Sequence, residues 1–397
     1  MTADTVLIAA LSGRGLAASA RRAGYLPLVA DAFGDSDTAE LAADARRVTD
    51  AARIGFRAKP VFAALAELEA AASSPPVGLI LGSGFEDRPK LIAALSRRYR
   101  LIGNGAETIA RAKNPDGFFA LLDTLGIAHP ATQLAPPSDM SGWLSKRVGG
   151  SGGTHVVDAA AAERSPRRYY QRRVHGVPHS VLAVATTAGV HIIGISRQWP
   201  VGQGPQPFRY GGAVGPVQLP AAVEASMRNA AAVACLALGL VGLIAFDFLL
   251  AGDTPILIEV NPRPGATLDV FDDAAGALFR AHVDACGGRI AALPALHGAR
   301  AAAILYADQG PLTIDAVRWP EWSADRPPPG TRVPRYRPIA TVFAAAGTSE
   351  DAFESCRGRL DELAEMLYAQ APNRERNDNA EVQRPRPQRL GARSEAR

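Results

Sequence analysis

Cysteine is scarce in this chain: Cys235, Cys286 and Cys356 are the only three in 397 residues, widely spaced and odd in number. That pattern offers neither a disulfide framework nor a thiolate metal pair, so free thiols in a reducing compartment are expected. A surplus of one charge is also missing. The formal net charge is +4, but residues 371–397 hold seven Arg against four acids, which leaves the rest near neutral and without a basic face for nucleic acid. Long apolar runs are few. Val6–Leu11 spans six residues before Ser12-Gly13-Arg14-Gly15, too short for a signal peptide. Val233–Leu250 is longer, but Gly239 and Gly242 interrupt it and Asp247 lies inside it. It reads as a buried helix end turning into a strand, not a membrane span. No internal repeat is present. A cytoplasmic protein with neither membrane nor nucleic-acid partner is expected, and its length implies two or three domains.

The first hundred residues alternate strand and helix: Val6–Ala10, Leu16–Ala23, Leu26–Ala30 ending in Asp31, Pro60–Ala72 and Val77–Leu81. Such alternation predicts a parallel sheet with helices on its faces. Phe118, Leu121, Leu122 and Leu125 form an apolar helical stripe. Short strands and loops are expected over 143–195, a long Ala-rich helix over Pro220–Leu238, strands at Ala301–Tyr306 and Ile339–Ala345, and a last helix over Phe353–Leu367. The segment Trp319–Gly330 is too rich in proline for regular structure. Residues 371–397 lack apolar periodicity and read as a disordered tail.

The most informative stretch runs from Phe246-Asp247-Phe248 to Ile258-Glu259-Val260-Asn261-Pro262-Arg263-Pro264. It predicts two apolar strands joined by an Ala-Gly-Asp turn. Period-two alternation puts Glu259 and Asn261 on one face, and a hairpin partner brings Asp247 alongside. Two carboxylates and an amide oxygen suit Mg²⁺, which commonly binds few protein oxygens together with nucleotide phosphates. Arg263 follows at once and can pair with a phosphate or carboxylate.

A second segment is Lys146-Arg147-Val148-Gly149-Gly150-Ser151-Gly152-Gly153-Thr154-His155. A cation at a strand end followed by four glycines and a serine makes an anion cradle, because glycine lets backbone N–H groups approach closely. It is not a Walker loop, since no Gly-Lys-Ser/Thr closes it. His175 and His179 lie four apart, but Gly176 and Pro178 between them argue against a helical zinc pair. Gly13-x-Gly15-x-x-Ala18 after a strand, with Asp31 closing the next, approximates a dinucleotide fingerprint. An NAD(P)- or flavin-dependent oxidoreductase is therefore one reading. The other places Ser12, Gly13 and Glu86 against an acceptor substrate, because both loops leave the carboxyl ends of parallel strands. Arg197 and Arg209, each near aromatics, suit a substrate carboxylate or phosphate.

Asp247, Glu259-x-Asn261-Pro262-Arg263 and the Lys146 glycine loop together resemble the ATP-grasp superfamily, ligases that activate a carboxylate as an acyl phosphate. The resemblance covers about residues 100–290 by motif and 1–100 by architecture. It implies an α/β ATP-grasp fold: a Rossmann-like domain over 1–102, the ATP-grasp domain over 103–290, a β-rich C-terminal subdomain over 291–370, and the tail. It implies ATP with Mg²⁺ (or Mn²⁺) as cofactors, held by Asp247, Glu259 and Asn261. Lys113 and Lys146 would reach the nucleotide, Gly149, Gly150, Ser151, Gly152 and Gly153 would close over its phosphates, and Gln171 and Val174 would form the adenine hinge. Arg172 stands where the family commonly has an acid. Lys146 and Arg263 would carry catalysis on small-molecule carboxylate and amine substrates, in a homodimer. Within the superfamily the chain looks like carboxylate–amine or thiol ligases that occur in gene sets for one-carbon cofactors. A non-catalytic ATP-binding protein is the alternative on the same fold.

Overall fold

The computed structural model describes residues 3–163, 165–290 and 292–370. The expected disordered tail lies outside them. Near the N-terminus, strands Thr5–Ala10, Leu26–Asp31 and Leu79–Leu81 pair in parallel, as their apolar runs and intervening helices predict. A fourth strand, Asp44–Arg47, joins the edge beside Leu26–Asp31. Its sequence, Asp-Ala-Arg-Arg, has no apolar run, and an edge strand does not need one. One face of this sheet packs Leu7, Ala9, Leu28 and Leu79 against Val61, Leu65, Leu68 and Ile92 of flanking helices. The other packs Val6, Ile8, Val29 and Ile80 toward Leu16, Ala20, Leu278 and Phe279. The same core continues into Leu182, Val184 and Leu243 of the next sheet, so the two layers share apolar contacts.

A small antiparallel sheet follows, ordered Thr132–Gln133, Arg168–Arg172, Trp143–Arg147, Val157–Asp158. The main sheet has eight strands, ordered Thr254–Asn261, Gly242–Ala251, Val177–Ala185, Val190–Pro200, Tyr210–Gly215, Ala299–Tyr306, Pro338–Ala346 and Ser323–Ala324. It runs across position 290, so the C-terminal strands extend the same layer. Helix Ala221–Leu238 covers one face with Met227, Ala231, Ala234 and Cys235 beside Phe118 and Leu122. By length and composition this helix could cross a membrane, and here it packs on the sheet. The run Val233–Leu250 is indeed a helix end turning into a strand.

Three expectations need correction. Residues 143–195 do not hold only short strands: Val177–Ala185 has nine residues and Val190–Pro200 eleven, because both lie inside the main sheet. The proline-rich segment contributes Ser323–Ala324, which needs only Val342 and Thr341 as partners to form a short edge. The final helix is longer than its apolar stripe, Ser349–Gln370.

Candidate active site

The hairpin forms as its alternation predicts, with Gly252 at φ +60 in the turn. Asp247 lies directly opposite Glu259, and the register then slips so that Phe248 faces Leu257. Ile258 is thus the extra residue of a bulge, which turns the Glu259–Asn261 end on its own strand. The Asn261 amide donates to Asp247 at 2.8 Å. Lys113 donates to Glu259 at 2.6 Å and to the Asn261 amide oxygen at 3.2 Å. Ser180 and Gln198, on neighbouring strands, donate to the other Asp247 oxygen at 2.8 and 3.4 Å. Four of the residues expected at the site, Lys113, Asp247, Glu259 and Asn261, therefore form one connected group.

Electrostatics separates the two acids. Burial raises the pKa of both. For Asp247 the neighbouring Glu259 charge adds to that rise and the shift is upward. For Glu259, burial is outweighed by Lys113 and Lys146 together, and the carboxyl is held below its usual range. Two carboxylates side by side, with the ammonium of Lys113 bonded to only one of them, form a set that a hard cation fits. Among the described residues no three His, Cys, Asp or Glu gather as a metal set on their own. Two carboxylates and an amide suit a cation that takes its remaining ligands from phosphate.

Lys146 sits in strand Trp143–Arg147, buried and with no ion pair among the described residues. Burial lowers its pKa, against the pull of Glu259 and Asp247. Beyond it the glycine loop takes φ of +66, +69 and +70 at Gly149, Gly152 and Gly153. A Cβ at Gly149 would lie 2.8 Å from the Asp87 backbone, and one at Gly150 would lie 2.5 Å from the His155 ring. At Gly153 it would collide with the Phe208 carbonyl oxygen, and the Gly152 carbonyl accepts from the Tyr210 N–H at 3.0 Å. The loop therefore lies down on the backbone of two other segments. Replacing Gly153 by Ala is expected to destabilise the chain by more than about 1 kcal/mol, since a left-handed non-glycine residue is itself unfavourable and Phe208 must also move. Urea denaturation of the two proteins measures it, and an unchanged midpoint would show that the loop does not pack this way.

His155 was not singled out by sequence reasoning, although its place two residues after the last loop glycine was a signal. Its Nδ1 is buried without a hydrogen-bond partner, and burial pushes its pKa down to about 4. A neutral imidazole therefore faces the Glu259 and Lys146 charges. With Lys113, Phe118, Phe119, Arg147, Gly149, Tyr169 and Glu259 it lines a narrow cleft between the two antiparallel sheets. Gln171 is buried in strand Arg168–Arg172 and donates to Thr132 at 3.2 Å, while Val174 lies in the segment after that strand. Arg172 stacks over Trp143 and donates to the Ser141 carbonyl at 2.9 Å.

Arg263 meets Glu86 at 2.5 Å, which joins the hairpin end to the N-terminal sheet. Glu86 also accepts from the Gly84 and Phe85 amides at 2.8 and 3.0 Å. Burial would raise its pKa, but Arg263 and Lys113 hold it low. Glu86, expected to meet substrate, thus orients Arg263. Ser12 donates to Asp325 at 2.7 Å, and the Gly13 amide lies 3.5 Å from Asp31. Asp31 also accepts from the Gly34 amide at 2.8 Å, so the fingerprint acid closes its own loop.

Arg197 and Arg209 are not brought to this group. Gln198 turns to Asp247, and strand alternation sends Arg197 to the other face, where it pairs with Glu350 at 3.1 Å and lies over Phe353. Arg209 is fully buried, bound to Asp308 at 2.8 and 3.0 Å and stacked 3.7 Å over Tyr306.

Comparisons with known proteins bear on the fold. Residues 118–267 match the family model of the ATP-grasp domain. The large chain of carbamoyl phosphate synthase from Myxococcus xanthus is 25% identical over 237 residues, which is 53% of this chain but 22% of that protein. The chain thus spans about a fifth of that relative's length. Biotin carboxylase from Campylobacter jejuni superposes with a TM-score of 0.66 at 15% identity, covering 88% of this chain and 89% of that one. An L-amino acid ligase from Bacillus licheniformis gives 0.65 at 16%, covering 91% and 98%. Likeness at these identities establishes the fold.

Proposed function

Taking as premise that the chain has the ATP-grasp fold and carries an ATP-grasp domain at residues 118–267, we propose that it is a ligase joining a carboxylate to an amine at the expense of ATP. The observation that supports this most directly is the group Lys113–Glu259–Asn261–Asp247 facing Lys146 and the glycine loop. Asp247, Glu259 and Asn261 would hold Mg²⁺, which when bound neutralises phosphate charge and lets a carboxylate approach. Lys146, buried and with no ion pair among the described residues, is placed to take a phosphate oxygen, whose charge would offset the burial that lowers its pKa. Backbone amides of Gly149–Gly153 add donors and exclude water.

In this reading a substrate carboxylate oxygen attacks the γ-phosphorus and ADP leaves, giving an acyl phosphate. Arg263, oriented by Glu86, steadies its oxygens. The amine then attacks the carbonyl carbon, inorganic phosphate departs, and a C–N bond has formed. The relatives named as ligase and synthase favour this chemistry, and the resemblance to ligases of one-carbon cofactor gene sets favours a cofactor precursor as substrate.

Melting with ligands tests the reading, since a ligand that binds the native state raises Tm. Mg²⁺-ATP is expected to stabilise the wild type by several degrees and Lys146→Ala by clearly less. A shift with NAD⁺ or NADP⁺ alone would instead move the site to Gly13–Asp31.

A further inference from the structure

Arg167, one residue before strand Arg168–Arg172, reaches from the small sheet to the N-terminal layer. Its Nη2 donates to both the backbone carbonyl and the carboxylate of Asp87, each at 3.0 Å. Among the described residues no other hydrogen bond or ion pair joins residues 132–172 to residues 3–104. Arg167 is 54% exposed, and an exposed ion pair by itself contributes little. Two further contacts set this one apart. Gly149 seats on the same residue: a Cβ there would lie 2.8 Å from the Asp87 Cα and N and from the Glu86 carbonyl carbon. The Val148 amide donates to the Arg167 carbonyl at 2.8 Å, which ties the start of the glycine loop to the arginine that grips Asp87.

Glu86 and Asp87 are the two central residues of one tight turn, closed by the Arg88 amide on the Phe85 carbonyl at 2.8 Å. From the N-terminal side Arg88 pairs with Asp87 at 3.3 Å and donates to the Ile54 carbonyl at 2.9 Å. On the other arm Glu86, its side chain only 2% exposed, binds Arg263 at 2.5 Å. One turn therefore carries the acid that orients Arg263 and the acid that the glycine-loop lobe holds. Glycine loop, Arg167, turn and Arg263 make a continuous set of contacts.

We propose that Asp87 and Arg167 are positioning residues that couple seating of the glycine loop to the placement of Arg263. With the loop seated, the turn is held from both sides and Glu86 keeps Arg263 in one orientation. With the loop lifted, Asp87 loses Arg167 and the Gly149 contact, and the turn is freed on that side. The use of this coupling in catalysis rests on the ligase reading, where it would fix Arg263 while the nucleotide is covered. The coupling itself does not rest on that reading. It is also reciprocal, so a change at Arg263 must be felt by the loop.

Amide hydrogen exchange of the full chain without nucleotide, read by mass spectrometry on peptides covering 146–156, tests this. Arg263 bonds to no residue of the glycine loop. Even so, Arg263→Ala is expected to speed exchange there roughly two- to thirtyfold, the scale of mutations along a coupled network. Glu86→Gln should act alike, since it breaks the same ion pair and keeps an acceptor for the Gly84 and Phe85 amides. Arg167→Ala should also speed the loop, and Arg167→Lys, which keeps the cation, should restore part of the loss. The double variant Arg167→Ala with Arg263→Ala should exchange no faster than Arg167→Ala alone, because the path is already cut. A loop unmoved by Arg263→Ala or Glu86→Gln, in a variant that still melts cooperatively, overturns the coupling. So do Arg263→Ala and Arg167→Ala effects that multiply in the double variant. The ligase reading has its own arm: Mg²⁺-ADP should slow exchange over 146–156 in the wild type. No slowing there would count against nucleotide binding and leave the coupling result as it stands.

Discussion

With Glu259 replaced by Gln, ADP release in the presence of Mg²⁺-ATP, acid and amine is expected to fall by roughly 10³-fold or more, the scale of losing a charge that organises a transferring phosphoryl group. The physical reason lies in the hairpin register. Glu259 stands opposite Asp247 and, despite burial, is held below the usual carboxyl range because Lys113 and Lys146 face it. Gln keeps the shape and an acceptor oxygen for Lys113, which now bonds at 2.6 Å, so the strand has no reason to unfold. It removes one of only two negative charges available to a cation. Cooperative melting near the wild-type midpoint with turnover lost is the expected pair of observations. A variant that turns over within tenfold of the wild type would exclude Glu259 from the metal site.

That this residue could be named from sequence follows from two short-range rules, alternation along a strand and a Gly-Asp turn. The parallel sheet was legible for the same reason: Val6–Ala10, Leu26–Ala30 and Val77–Leu81 are apolar runs separated by helical ones, and only their ends shift in the structure. What was not legible depends on register or on distance along the chain. The bulge at Ile258 leaves no mark in composition. The parity of strand Val190–Pro200 decides that Gln198 and not Arg197 meets Asp247, and a segment's own pattern does not say which face its partners will offer. The edge strand Asp44–Arg47 is polar and exists only because Leu26–Asp31 is there to pair with it. Asp325 lies in a proline-rich stretch read as irregular, yet it meets Ser12 and Arg14 more than 300 residues away. His155 is a different case. It adjoined a recognised loop, and the space that Gly150 leaves for its ring explains one of the four glycines better than phosphate binding alone.

Replacing Arg14 by Ala is expected to destabilise the chain by about 3–5 kcal/mol at neutral pH, the usual result of stripping the cation from a buried ion pair. Arg14 is 6% exposed, and one guanidinium ties the N-terminal sheet to Asp269 and Asp325 in two remote segments. Removing it leaves those carboxylates, each 18% exposed, beside Asp31, Asp35 and Asp37 with little to offset their repulsion. The pH dependence carries the diagnosis. In the wild type burial would raise Asp325, but Arg14 and the hydrogen bonds it receives hold it below its usual range. A lowered carboxyl stabilises the fold above its unfolded pKa, and that contribution is lost as pH falls through the folded value. Without Arg14 burial dominates and the same carboxyl is raised, so at Asp325 the variant gains stability on acidification where the wild type loses it. The difference between the two proteins should therefore be largest near pH 7 and shrink toward pH 4, as the stranded acids take up protons. Adding Asp325→Asn to the variant should recover part of the loss, because one unpaired charge is gone and neighbouring sites are not additive. Urea titrations at pH 4, 5.5 and 7 measure all three proteins. A penalty below about 1 kcal/mol, or one that does not change with pH, would mean that Arg14 is not the cation that balances this cluster.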